Sequence, residues 1–301
     1  MSLSVELCGV KLKNPVIAAS GTYAFGREFE EFYDISALGG VSVKGLTLAP
    51  RAGNPPPRIA ETPSGMLNAV GLQNPGIDAF LREDLPWLAQ KELAVVANIA
   101  GSTAEDYIAM AEKASADGVD IVELNISCPN VKQGGVAFGN TPENVLSITK
   151  AVRAACKKPL MVKLSPNVAS IADCARAAQE GGADAVSLIN TLTGMAIDVH
   201  TRKPILGNIT GGLSGPAIRP VALRMAYDAA RAVNIPVVGC GGIETGEDAV
   251  AFLLVGCTAV QVGSANLYDP YACVKVIEGI EMYMWRHGVD DVRELIGALE
   301  A

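Results

Sequence analysis

The chain has 301 residues, half of them hydrophobic and 19% charged, with a net charge of -8 at pH 7 from 24 Lys and Arg against 32 Asp and Glu. This composition supplies a large core, excludes a disordered chain, and makes a poor binder of nucleic acid or anionic membrane. Two histidines, His200 and His287, leave no His-rich metal site and argue against a Ser-His-Asp triad.

Short β-branched runs recur along the chain. In order they are NPVIAAS (14–20), ALGGVSVKG (37–45), LAVVANIA (93–100), IVELNIS (121–127), LMVKLS (160–165), AVSLINT (185–191), IPVVGCGG (235–242) and AVQVGSA (259–265). Most are continuously apolar rather than alternating, the pattern of parallel strands covered on both faces. Between them the pattern predicts helices at 103–117, 142–157, 169–180, 216–233, 246–255 and 270–287. The first opens on a Thr N-cap and acidic residues and ends before Gly118, and the second has Pro142 behind Thr141. Eight strands alternating with helices over about 250 residues predict an α/β fold, a single-domain (β/α)8 TIM barrel. A doubly wound open sheet is the rival, weakened because no G-x-G-x-x-G follows the first strand. Residues 46–75, rich in Pro, Gly and Asn, read as one long irregular insertion of functional length.

Seven cysteines lie scattered with no C-x-x-C pair, which predicts reduced, cytoplasmic usage rather than a disulfide scaffold or an iron–sulfur site in this chain. The longest apolar stretch, 249–260, is shorter than the roughly 20 residues of a membrane span. The first 15 residues show no signal-peptide h-region.

Alternate side chains of a barrel strand point inward, and catalysis belongs at the carboxyl ends. Those ends collect Lys44, Asn98, Asn125, Lys163, Asn190 and Thr191. One polar strand end can simply face water; five on consecutive strands point to a mouth. Glycine turns follow strands seven and eight, with Gly241 and Gly242 in one and Gly263 and Ser264 in the other. That is the usual phosphate position of a barrel, and Gly215 is a candidate third contact. Cys128 follows the polar end of strand four and precedes the glycine-rich segment 131–140, which reads as a lid. A thiol placed there could serve as acid or base. Cys8, Cys156, Cys174, Cys257 and Cys273 read as small buried hydrophobes, and packing is also the expected role of Cys240.

The motifs AASGTYAFG (18–26), SVKGLTL (42–48), PRAGNPPPRIAETPSGMLNAVGLQNPG (50–76), NISCPN (125–130), VKLSPN (162–167), GGLSGPAIRP (211–220) and GCGGI (239–243) together resemble the class 1 dihydroorotate dehydrogenases, flavin enzymes of pyrimidine synthesis. The resemblance spans essentially the whole chain, and AETPSGMLNAVGLQNPG is similar to the class 1B catalytic subunit. The first barrel strand begins near residue 14, so this sequence leaves no room for the membrane-associating extension of class 2.

The resemblance implies FMN over the barrel mouth, its phosphate on Gly241, Gly242, Gly263 and Ser264 with Gly215 nearby. It implies flavin contacts from Ser20, Lys44, Gly45 and Asn98, and from Asn125, Lys163 and Ile189. Dihydroorotate would be held by Lys44, Asn68, Leu72, Asn125, Asn190 and Thr191, with backbone around Ala69, Val70 and Gly71 clamping its carboxylate. Cys128 would be the base. A cysteine of ordinary pKa, about 8.5, predicts activity that rises into alkaline pH. The class 1B reading also implies a homodimer of this chain within a heterotetramer. Its electron-transfer partner subunit would carry FAD and a 2Fe–2S cluster and reduce NAD. The alternatives are a class 1A homodimer that uses fumarate, an FMN barrel for another cyclic substrate, a non-redox phosphate-binding barrel, and a non-catalytic scaffold.

Overall fold

The structure is a computed structural model that describes residues 1–127 and 136–300. The eight apolar runs each contribute one strand to a closed parallel barrel. These are β1 (Val16–Ala18), β2 (Gly40–Ser42), β3 (Ala94–Ile99), β4 (Ile121–Asn125), β5 (Leu160–Lys163), β6 (Ala185–Leu188), β7 (Val237–Cys240) and β8 (Ala259–Val262). They pair in sequence order, and β8 closes onto β1 with Val260 opposite Val16. Every residue of all eight strands is buried. Helices pack on the outside and the strands enclose the inside, so each face is dry. A fully buried Val, Leu or Ile contributes ~1.5–3 kcal/mol relative to exposure, which is why continuous apolar runs settle here.

The helices lie where the pattern places them, at Ala104–Ala114, Pro142–Ala155, Ile171–Glu180, Arg219–Ala230, Gly246–Leu254 and Ala272–His287. Four begin on a hydroxyl cap, from Thr103, Thr141, Ser170 and Thr245, each accepting the backbone N–H three residues on. Such a cap satisfies one of the donors that the first helical turn leaves unpaired. Residues 216–218, expected to be α-helical, instead form a 3-10 turn entering the helix at Arg219.

The insertion at 46–75 is more ordered than its composition predicts. Ile59–Thr62 and Gly65–Asn68 form a hairpin within it. Gly65–Asn68 pairs with Thr210–Ser214, which pairs with Leu192–Met195, giving a four-stranded antiparallel sheet. This sheet joins the segment after β2 to the segment after β6 and forms a roof on one side of the mouth. Proline and glycine hid it: Gly65 and Gly212 sit where the chains come close. A Cβ on Gly212 would lie 1.9 Å from Thr191 Oγ1, and one on Gly65 2.3 Å from the Ser214 carbonyl. A short hairpin, Val5–Leu7 with Val10–Leu12, precedes β1.

Candidate active site at the barrel mouth

Strand register assembles the floor of the site. Asn98 on β3 pairs with Glu123 on β4, and Asn125 on β4 pairs with Lys163 on β5. Ser187 on β6 sits beside Lys163 from the other side. All of these side chains, with Ser42 of β2 and Gln261 of β8, are buried. A charge at such a depth is costly unless it is paired and hydrogen-bonded.

Here the pairing is extensive. Glu123 Oε2 accepts from Ser42 Oγ at 2.7 Å and Asn98 Nδ2 at 2.6 Å. Its Oε1 accepts from Ser187 Oγ at 2.7 Å and Gln261 Nε2 at 2.8 Å. Lys163 Nζ donates to Gln261 Oε1 at 2.8 Å. Burial opposes ionisation of Glu123, but the Lys163 ammonium and the bonds from Ser42, Asn98 and Ser187 more than offset it. They hold the carboxyl below its ordinary pKa. The floor is therefore an anion and a cation joined through one amide.

Above the floor lies a cleft of about 1200 Å³, counting space open to solvent. Lys44, Asn125, Lys163, Asn190 and Thr191 line it from four strand ends, those of β2, β4, β5 and β6, or the loops that follow them. Ser20 and Gly45 line it beside them, with Ile189 next to Asn190. The roof contributes Asn68, and the segment after it Val70, Gly71 and Leu72. On the β7–β8 side the lining is Gly241, Gly242, Gly263 and Ser264. Gly241 and Gly242 have φ of +130° and +72°, which a side chain would strain, and a Cβ on Gly263 would meet only Ala19 Cβ, at 3.7 Å. Gly241 and Gly242 have no room for a side chain, with Ala222 Cβ and Arg219 Cβ each 2.7 Å from where a Cβ would be, and Gly242 stands three residues before Thr245, the cap of the next helix.

Three expected residues stand back from the cleft wall. Asn98 is fully buried behind Gly45, whose Cβ would come 3.0 Å from Asn98 Oδ1. It reaches the cleft only through Asn125 Nδ2, which donates to its Oδ1 at 3.2 Å. Ala69 is buried in the small roof core with Ala60, Leu67 and Leu206. Gly215 lies behind Gly242, its carbonyl 2.8 Å from where a Gly242 Cβ would be. Cys128 and residues 131–135 of the 131–140 segment lie outside the described residues. Cys240 also lines the cleft, and burial pushes its thiol up despite nearby Lys163, so it is a neutral wall group.

The matching family model is dihydroorotate dehydrogenase, over residues 2–284. The chain belongs to the dihydroorotate dehydrogenase family. It is 55% identical over 300 residues to a protein of Thermoanaerobacter pseudethanolicus named dihydroorotate dehydrogenase B (NAD(+)), catalytic subunit, covering 100% of this chain and 99% of that one. Proteins of the same name from Alkaliphilus oremlandii and Bacillus cereus are 56% and 54% identical, over 99% and 98% of this chain and 99% and 96% of theirs. The B designation is the branch that the run AETPSGMLNAVGLQNPG (60–76) resembles. A crystal structure of DHODH in complex with ferulenol from Eimeria tenella superposes with a TM-score of 0.81 at 23% identity, covering 98% of this chain and 88% of that one. At that identity it speaks for the barrel fold alone.

The Glu123–Gln261 pair beneath Lys163 was not foreseen as part of the site. Its signal was present: Glu123 shares the inward parity of Asn125 and Ser127, and Gln261 interrupts an equally apolar strand. What the sequence lacked was the register that puts the two 2.8 Å apart across the barrel.

Proposed function

We propose that this chain is the catalytic subunit of a B-type dihydroorotate dehydrogenase, oxidising dihydroorotate to orotate in pyrimidine synthesis. The observation that carries the reading is the wall formed by Asn125, Lys163 and Asn190 at the ends of β4, β5 and β6. A nearly buried ammonium beside two amides suits a planar, anionic substrate stacked on a ring that gains negative charge.

The cleft fits FMN. The β7–β8 turns offer backbone N–H groups to a phosphate, and Lys163 and Asn125 face the opposite end. FMN held there would supply the acceptor for the hydride from C6 of dihydroorotate, and a partner subunit holding FAD and a 2Fe–2S cluster would carry the electrons on to NAD. The chain's residues do the rest. Gly241, Gly242, Gly263 and Ser264 hold the phosphate. Lys163 offers positive charge to the pyrimidine edge of the flavin. Lys44, Asn68, Asn190 and Thr191 hold the substrate, and backbone at Val70 and Gly71 clamps its carboxylate. Cys128 takes the proton from C5. Among the described residues no helix is long and apolar enough to cross a membrane, and with reduced cysteines this supports work in the cytoplasm, as a dimer carrying one electron-transfer subunit on each copy.

The test is spectroscopic. The purified chain, reconstituted with FMN without oxygen, is expected to be yellow and to bleach when dihydroorotate is added. Cys128→Ser is expected to slow that bleaching at neutral pH. A chain that takes up no FMN would overturn the reading and bring a non-redox phosphate barrel forward. Rapid reoxidation by fumarate would favour the A-type alternative.

A further inference from the structure

The amide side chains around the floor can each point two ways, and the carboxylate of Glu123 removes that freedom. A carboxylate accepts and cannot donate. Asn98 and Gln261 both meet it, at 2.6 and 2.8 Å, so both must turn their NH2 groups toward it. Their oxygens are then aimed away, and two chains of fixed polarity begin. In the first, Asn98 Oδ1 accepts from Asn125 Nδ2 at 3.2 Å. Asn125 Oδ1 is thereby left to accept from the Ser127 N–H at 3.2 Å and from Ser127 Oγ at 3.0 Å. Ser127 Oγ, its proton committed, accepts from Asn190 Nδ2 at 2.9 Å. Asn190 Oδ1 accepts the Thr191 N–H at 2.8 Å. In the second, Gln261 Oε1 accepts from Lys163 Nζ at 2.8 Å. Each link leaves one orientation for the next.

We propose that Glu123 is a positioning residue that, together with the Ser127 and Thr191 backbone N–H groups, sets the polarity of the cleft wall, fixing which way Asn125 and Asn190 turn and, through Gln261, giving the Lys163 ammonium an oxygen to hold it. It touches neither cofactor nor substrate; it acts through Asn98 and Gln261. This rests on the flavin and dihydroorotate reading of the cleft. The hub and its bonded partner are far apart in sequence, 138 positions from Glu123 to Gln261, so packing of neighbours along the chain does not account for it.

An isosteric exchange separates polarity from shape. In Glu123→Gln one oxygen becomes an NH2, so the side chain can no longer accept from both Asn98 and Gln261. One chain must reverse: either Gln261 turns its NH2 against the Lys163 ammonium, or Asn98 and Asn125 both flip. The swap Glu123→Gln with Gln261→Glu repairs this. The introduced amide keeps its oxygen toward Ser42 and Asn98 and gives its NH2 to the introduced carboxylate, which also receives Lys163. Charge count and the direction of both amide chains are restored with nearly unchanged volume, and the Ser187 hydroxyl, which donates to Glu123 Oε1 in wild type, turns to accept from the introduced amide.

The experiment compares wild type, Glu123→Gln, and the swap, reading the melting temperature of the apo chain and the FMN dissociation constant. Glu123→Gln is expected to melt lower and to bind FMN about tenfold more weakly, the size of one misdirected buried hydrogen bond. The swap is expected to recover both and the flavin absorbance spectrum of wild type. Wild-type behaviour of Glu123→Gln overturns the proposal. So does a swap as impaired as the single variant, which would make the role one of exact shape. If Glu123→Gln fails to fold, a folded, FMN-binding swap supports the proposal and an unfolded one overturns it. Failure of the wild-type chain to bind FMN would remove the flavin reading, while the apo melting series would still decide what Glu123 does.

Discussion

The floor of the barrel and the antiparallel roof both face the cleft, yet different forces hold them. In the floor, one carboxylate on β4 binds side chains from β2, β3, β6 and β8. Every group is buried, and the bonds act where water does not compete. The roof is held by backbone ladders between distant segments, with Gly212 opposite Asn68. Its own core is four small or medium side chains, Ala60, Leu67, Ala69 and Leu206. Ile59, Met195 and Ile209 stay half exposed on or beside it. Thr62 at the end of a roof strand even carries a buried hydroxyl with no partner, a defect found nowhere among the floor residues. The groups that fix charge and orientation thus sit in the stiffest part of the fold. The groups that cover substrate sit on an element with little core of its own, suited to local opening.

The sharpest way to break this contrast is to empty the hub. Glu123→Ala strands two NH2 donors and leaves the Lys163 charge without its anion. We expect ~3–5 kcal/mol of lost stability in urea denaturation, the scale of leaving a buried charge uncompensated. A loss below about 1 kcal/mol, the scale of an exposed pair, would put the floor on a par with the surface. The pH dependence has a definite sign. The folded carboxyl titrates below its unfolded value, so its stabilisation is complete above about pH 4.3 and disappears as pH falls through the folded pKa. The stability difference between wild type and Glu123→Ala should therefore shrink on acidification below pH 4.

Legibility in the sequence follows the same division. All eight barrel strands could be read because each is a local run of apolar residues, doubly covered, and needs no partner to be recognised. The polar strand ends were legible for the same reason: parity along one strand places Asn125 inward without knowing its neighbours. The roof was not legible as a sheet: Gly65–Asn68 has a local hairpin partner in Ile59–Thr62, but the sheet is completed only by residues about 145 positions away, and its glycines argue against strand locally. The Glu123–Gln261 pair was missed between these cases. Each residue could be seen facing inward, but their meeting depends on barrel closure. Parity also placed Asn98 at the mouth, but parity reveals direction and not depth, and the structure puts its side chain one layer behind Gly45.

A smaller effect tests whether the roof tunes substrate without bearing the fold. A methyl at Gly212 would stand 1.9 Å from Thr191 Oγ1, so Thr191 or the strand must shift. Thr191 lines the part of the cleft proposed for substrate, and the glycine turns after β7 and β8, proposed for the FMN phosphate, are separate segments of the lining. Gly212→Ala is expected to raise the KM for dihydroorotate about tenfold, an overpacking cost at the low end of the usual range, while flavin content stays at wild-type level. Loss of FMN from this variant would show that roof and floor are one unit.

The smallest expected effect lies outside both regions and calibrates the other two. Thr103 caps the helix that follows β3, its hydroxyl accepting the Asp106 N–H at 3.1 Å. Removing the hydroxyl in Thr103→Ala leaves that donor to water at an exposed site, for about 1 kcal/mol. The loop above it stays tied, because the Asp106 carboxylate still accepts the Ser102 N–H at 2.8 Å. Ser102 in turn is held by Arg51 at 2.6 Å, from the start of the insertion that carries the roof. Denaturation should therefore shift by about 1 kcal/mol with KM and FMN affinity unchanged. A shift in KM would mean that strain at a helix cap reaches the roof through Ser102 and Arg51, and the roof would then be coupled to the outer helices rather than resting on its own ladder.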